Sequence, residues 1–438
     1  ISKQSNVIET EYLFPDALNK ILYESNLWKD KRNRLDANLN FELNRPNLYV
    51  KNELKGTFDW VSTSSQTIFN DNSQNLNSSP NRQFVSDVLD IKLPISNDRY
   101  ISIVSTNNYN YHPQELSLYS GEMQRLDYSS FYSNTTASFK HRLWRMYANH
   151  QIGFQGMFQS LKSTIGNVAS ISKQIYERYM PYIGTGLQFD NRTIHMEADV
   201  KMNLYNWQLE EHSLSRKKTE FSPDARLFLK YSLSATSDFS LNYRYSELFQ
   251  NLRQVYDGNL FTSYRTIVNN SHTPETDGTH SLTLRYQYSQ PIKGIFFMLS
   301  ALGSTTHRHS AYVTTLQPES GILVRTKKDA DYDSEMYLVN GRFSKSFGWW
   351  KSLLGVYGSY MKSFDAQYSG NELQDYDMNN YSAGISFSAR PLNWLSFELE
   401  SQWQQTRMKS ELADSRINQL KHNANLIFPI TRSLQFGI

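Results

Sequence analysis

Residues 192 to 207, RTIHMEADVKMNLYNW, separate cleanly by parity. Ile194, Met196, Ala198, Val200, Met202 and Leu204 fall on one side, and His195, Glu197, Asp199, Lys201 and Asn203 on the other. A period of two marks a strand with one apolar face. Its length decides the surroundings: strands of soluble proteins usually run about five or six residues, whereas a strand tilted across a bilayer needs about 9 to 11. This segment meets the longer requirement.

The pattern recurs as hairpins. In residues 224 to 246, Ala225, Leu227, Leu229, Tyr231 and Leu233 alternate with Arg226, Phe228, Lys230 and Ser232; after a short SATSD turn, Phe239, Leu241, Tyr243 and Tyr245 alternate with Ser240, Asn242 and Arg244. Leu282, Leu284, Tyr286 and Tyr288 lead through SQPIKG to Ile295, Phe297, Leu299 and Ala301, and Tyr381, Ala383, Ile385, Phe387 and Ala389 lead through RPLNW to Leu395, Phe397 and Leu399. Charges test the assignment, because Arg or Lys facing lipid at mid-membrane costs about 2 to 4 kcal/mol. Arg226, Lys230, Arg244, Arg285, Glu398 and Glu400 all keep the polar parity.

Short connections are expected near residues 45–48, 95–99, 140–143, 190–192, 234–238, 289–294, 345–350, 390–394 and 429–433, each followed one strand later by a longer loop such as 64–82, 247–279 or 304–333. Transmembrane barrels have short periplasmic turns and long outer loops, which sets the orientation. The expectation is an all-β chain: a large antiparallel transmembrane barrel of about eighteen strands over residues 31–438. Residues 1–30 are expected to be a loop or short surface helix, with Pro15 and Asp16 opening FPDALNKILYESN. Trp144, Trp349, Trp350 and Trp394 near short turns, and Trp60, Trp207 and Trp403 near long loops, form two expected interfacial girdles and place 7 of the 8 Trp.

Composition alone would mislead. A mean hydropathy of −0.60 and 39% apolar residues suggest a soluble protein, yet aromatics reach 14%, with 29 Tyr and 24 Phe. A wall with one oily and one wet face reconciles the two. The longest apolar stretch, around Ile295 to Leu302, falls short of the roughly 20 residues a spanning helix requires. With 0 cysteines the chain has no thiol chemistry or disulfides, and a net charge of +3 gives no reason to expect nucleic acid. The chain opens at Ile1 without a start methionine and closes on LQFGI, half a strand, so it is read as a piece of a longer protein whose barrel has further strands, about 22 in all.

The strand-loop texture, and residues 239 to 267 with their ending from Gly258 to Thr266, resemble the barrel of TonB-dependent receptors of Bacteroidota, in particular those with an N-terminal carboxypeptidase-regulatory-like domain. The resemblance implies an outer-membrane transporter for a scarce glycan, peptide or metal chelate. It also implies lipid around the wall, a plug domain in the lumen, TonB as the energising partner, and a SusD-like surface lipoprotein as a further partner. His195, Glu197, Asp199, Lys201, Arg226, Lys230, Arg244, Arg285 and Glu398 would face the plug or the water around it. Two other readings stay open: a non-transporting assembly barrel in a larger complex, and a passive porin.

Candidate chemistry is sparse. Tyr256, Phe261 and Tyr264 could stack on a ligand from a long loop. His307 and His309 in THRHS read as an exposed loop pair without a nearby carboxylate cluster, rather than a metal site. KKDADYDSE, with Asp329, Asp331 and Asp333, opens like a calcium loop, but has Ser334 where Gly belongs and Asn340 where Glu belongs. GxSxG, phosphate-loop and HExxH patterns are absent, so neither an enzyme nor a cofactor is expected.

Overall fold

The computed structural model describes all residues except 1, 15–19, 70–71, 97, 119–120, 167–171, 212–213, 264–265, 271–273, 318–321, 371, 393, 411–413, 430–434 and 438. Among the described residues, 22 strands lie in a single sheet, with one α-helix of 4 residues, Leu252–Val255, and two short 3-10 turns, Pro291–Lys293 and Trp349–Lys351. Asn72–Ser78, Asn259–Ser263 and Thr266–Asn269 belong to connections and Gln435–Gly437 has 3 residues, which leaves eighteen long wall strands of the 22.

Each wall strand pairs antiparallel with the next along the chain, from Ser2–Phe14 against Lys20–Arg45 to Asp414–Pro429 against Gln435–Gly437. Directly opposite residues of neighbouring strands point the same way, so the register carries parity around the wall. One row runs Met196, Leu229, Leu241, Leu284, Ala301, Val339, Tyr360, Tyr381, and it is apolar throughout. The adjacent row runs His195, Lys230, Ser240, Arg285, Ser300, Asn340, Ser359, Ser382, Gln404, and it is polar throughout. A sheet this wide with one continuous apolar face belongs in lipid on that side and encloses water on the other. Ile152, Ile183, Val200, Met202, Leu282 and Ile385 stand exposed on the apolar side, as lipid-facing residues must.

One patch departs from the clean division. Asn52, Asp87, Ser105, Asn107, Ser133 and Thr135 lie on the lipid parity, but they satisfy one another: Asn52 donates to Asp87 (2.7 Å), Ser133 to Asn107 (2.7 Å) and Asn107 to Ser105 (3.3 Å), and Ser105 shares a hydrogen bond with Thr135 (2.9 Å). Where water is scarce, polar groups survive by such mutual bonding.

The sequence-based segmentation needs three corrections. Residues 20–26 belong to the strand Lys20–Arg45, paired in register with Ser2–Phe14, so cross-strand pairing overrides the local helix signal; residues 15–19 lie outside the described set. The turn placed at 140–143 falls at 144–145, between Leu143 and Met146. Segment 304–333 is chiefly strand, because Ile295–Gln317 and Ile322–Phe347 continue as one hairpin. The last error has a physical cause: beyond the membrane both faces of a strand are wet, so the hydrophobic alternation that announces a strand disappears.

Candidate functional site at the lumenal mouth

At the rim that carries the long connections, the wet face changes character. On Ile194–Glu211 the polar parity His195, Glu197, Asp199, Lys201 and Asn203 continues as Tyr205, Trp207 and Leu209, all buried except Lys201 and its neighbours nearer the short turns. Neighbouring strands do the same with Leu126 and Tyr128, with Leu161, and with Tyr176 and Met180. What covers these side chains is the connection between Ser237–Phe249 and Thr276–Gln290, which folds inward over the mouth. Leu252, Val255, Tyr256 and Leu260 join them in one hydrophobic cluster, with Phe249 packed against it.

The segment is built to fold locally. Asn251 caps Leu252–Val255 through a capping box with Gln254. Asn270 donates to the Arg253 carbonyl at 2.7 Å and closes the loop on itself. The Arg253 guanidinium lies 4.5 Å from the centre of the Tyr128 ring, and burial pushes it below its ordinary pKa while Tyr128 opposes that shift.

Three glutamines, one from each of three consecutive wall strands, fasten this loop by its backbone. Gln124 donates to the Asn259 carbonyl (3.3 Å) and accepts from the Phe261 N–H (3.1 Å). Gln174 donates to the Asp257 carbonyl (3.0 Å) and accepts from the Asp257 N–H (3.2 Å). Gln159 accepts from the Leu252 N–H (2.8 Å) and donates to the Tyr128 hydroxyl (2.7 Å). Their exposures of 3%, 0% and 4% for Gln124, Gln174 and Gln159 make these bonds hard to replace with water. Beside them the Tyr176 and Tyr205 hydroxyls share a 2.7 Å bond. Arg178 Nε and Trp207 Nε1, on paired positions of adjacent strands, are buried without a hydrogen-bond partner.

Known proteins now bear on this architecture. No protein-family model and no curated protein matches the sequence. Solved structures do match: the copper transporter OprC (TM-score 0.59, 8% identity, covering 100% of this chain and 73% of that one) and the ferric citrate transporter FecA (0.55, 10%, 98% and 71%). The ferric-catecholate import receptor Fiu of E. coli K12 matches with TM-score 0.52 at 6% identity over 99% of this chain and 74% of that one. The chain shares the barrel fold of these transporters and this receptor. At these identities the likeness is one of architecture.

Within that architecture the nine charged wall residues share the wet face and mostly bond other polar residues of the same wall. His195 bonds Glu197 at 3.1 Å, Arg244 pairs with Asp224 at 3.1 Å, Lys230 with Asp238 at 3.5 Å, and Arg285 donates to Gln287 at 2.9 Å. Arg226 stands directly opposite Arg244 on one side and Asp199 on the other, which offsets the like-charge contact. Lys201 lies 5.6 Å from the Tyr182 ring centre, and Glu398 sits in line with Ser388 and Asn425.

Two predicted roles are overturned. Tyr256, expected as an exposed stacking residue, is 1% exposed in the loop core, so it packs rather than binds. Trp207, expected in a lipid girdle, is 3% exposed on the wet face, because its odd position shares the side of Asp199 and Lys201. Phe261 is half-buried and held through its N–H by Gln124, and Tyr264 lies outside the described residues. Trp60, Trp144, Trp349, Trp350, Trp394 and Trp403 are exposed, with Trp60 stacked beside Phe58 and Trp403 opposite Ala383 on the apolar parity. The glutamine clamp escaped the sequence reading, although its signal was present: polar positions giving way to Tyr, Trp and Leu at one end of four successive strands.

Proposed function

We propose that the chain is the barrel of a TonB-dependent outer-membrane receptor that imports a scarce nutrient, with a plug domain occupying the lumen and TonB supplying the energy. The observation that carries this reading is the eighteen-strand wall with a continuous polar inner row, sharing its fold with solved copper and ferric-chelate transporters. Barrels of 16 to 18 strands leave an aqueous channel and larger ones hold a plugged lumen, so a wall of this size encloses far more space than its side chains fill. Glycans, peptides and metal chelates are the substrate classes, and a SusD-like lipoprotein over the mouth is the partner for the first two.

Deletion of the gene, followed by uptake of labelled copper, ferric chelates, oligosaccharides and peptides, tests the proposal. Loss of uptake for one class, restored by the intact gene but not in cells lacking TonB, is the expected result. An unchanged uptake profile together with a defect in envelope assembly would overturn it in favour of a scaffold barrel. That second reading draws on the tall strand pair Ile295–Gln317 and Ile322–Phe347, a broad platform for another protein.

A further inference from the structure

Two motifs that mean little apart in the sequence, THRHS at 306–310 and KKDADYDSE at 327–335, face each other across that hairpin. His307 is in register with Asp333, and a register shift between Arg308 and Ser310 leaves His309 outside the regular pairing. Such bulges re-aim a side chain. Here His309 meets Asp331, Nδ1 to Oδ1 at 2.9 Å, while His307 Nδ1 meets Asp333 Oδ1, also at 2.9 Å. The two imidazoles contact edge to face with centres 4.7 Å apart. Ligand atoms of His307, His309 and Asp331 all lie within 4.8 Å of one another.

The premises for setting the histidines aside therefore fail. They sit on a paired strand rather than a loose loop, and two carboxylates stand directly across from them. We propose that His307, His309 and Asp331 form a binding site for a divalent transition metal ion of the zinc class, with Asp333 orienting the His307 ring.

The donor set selects the ion. Two imidazole nitrogens and a carboxylate oxygen suit zinc and its neighbours, whereas calcium wants six to eight oxygens and magnesium an octahedral shell of oxygens. Asp333 on Nδ1 of His307 leaves Nε2 of that ring available to a metal and fixes the ring's orientation, the usual arrangement around metal-bound histidine. Two backbone strands hold the donors, so little ordering remains to be done when the ion arrives. All four side chains are solvent-accessible, with His307 at 51% and Asp331 at 79%. Counting along the unshifted stretch of strand, His307 shares the outward parity of Leu299 and Ala301, away from the lumen. The site thus stands whether or not the barrel transports.

Isothermal titration of the full-length protein in detergent with zinc chloride, and separately with calcium chloride, tests the site. One zinc per chain is expected, with no calcium heat and no displacement of zinc by calcium. His309→Ala and Asp331→Asn should each weaken zinc by about 100-fold or abolish it, and Asp333→Asn, which frees the His307 ring to turn, by about tenfold. Heat-dependent gel migration verifies that each variant remains a folded barrel. Should a variant not fold, zinc on the unaltered protein should shield His307 and His309 from diethylpyrocarbonate, read by peptide mass. Zinc binding undiminished by His309→Ala, equal binding of calcium, or no shielding would each overturn the assignment.

Discussion

Gln124 and Gln174 do with side chains what a strand edge does with its backbone: they offer an acceptor and a donor to a segment that lies across them, and Gln159 adds an acceptor. An amide buried in an apolar cluster and stripped of its partner costs about 1 to 3 kcal/mol. Gln174→Ala should therefore loosen the loop without unfolding the wall, raising hydrogen exchange at residues 251–261 by about tenfold or more. Unaltered exchange there would show that the amide is incidental. Tyr256→Ala belongs to the same scale. Removing a large buried ring costs about 3 to 5 kcal/mol, so this variant should make the loop a preferred cleavage site in limited proteolysis while Phe261→Ala does so less. Trp207 and Tyr256 show where reading a residue by its type fails. Trp207 sits where a girdle tryptophan would sit along the strand, but its parity is that of Asp199 and Lys201, and parity, which reports the direction of the side chain, outweighs chemical type.

Strands were legible wherever one face meets lipid and the other water, since that contrast is what writes alternation into a sequence. The hairpins around 234–237, 290–295 and 392–395 were visible for this reason. Strand continuing above the membrane was not, and neither was Lys20–Arg45 near its start, where a local proline and aspartate pointed to a helix that long-range pairing overrode. At this scale Leu229→Arg, on the oily row, should destabilise the folded barrel in liposomes by about 2 to 4 kcal/mol, while Arg226→Leu, on the wet row, should cost far less. Equal effects in urea titration would contradict the assignment of faces. Gly384 gives a second check. It lies opposite Tyr357, whose ring covers it and whose hydroxyl donates to Glu400 at 2.7 Å. A methyl group at Gly384 would occupy the ring's place, so Gly384→Ala should displace Tyr357, break that bond and lower stability by about 1 to 3 kcal/mol.

As a whole the molecule is a succession of hairpins partly capped at one end by its own chain. The inward loop and its cluster occupy part of the mouth, while its distal strand Thr266–Asn269 runs parallel to the top of Ile322–Phe347 and ties cap to rim. In the barrel freed of its plug, replacing residues 250–270 with a short Gly/Ser linker should raise single-channel conductance in planar bilayers and leave the fold intact. Conductance equal to that of the unaltered protein would mean that the obstruction lies elsewhere.

Ile295–Gln317 has 23 residues, which at about 3.3 Å each make about 75 Å of strand. Tilted by about 40°, it climbs nearly 60 Å, against an oily band about 25 Å tall. More than half of it therefore stands clear of the bilayer, like a mast above a hull. Antibodies, phages and neighbouring cells would meet this part of the protein before any solute reached the opening below.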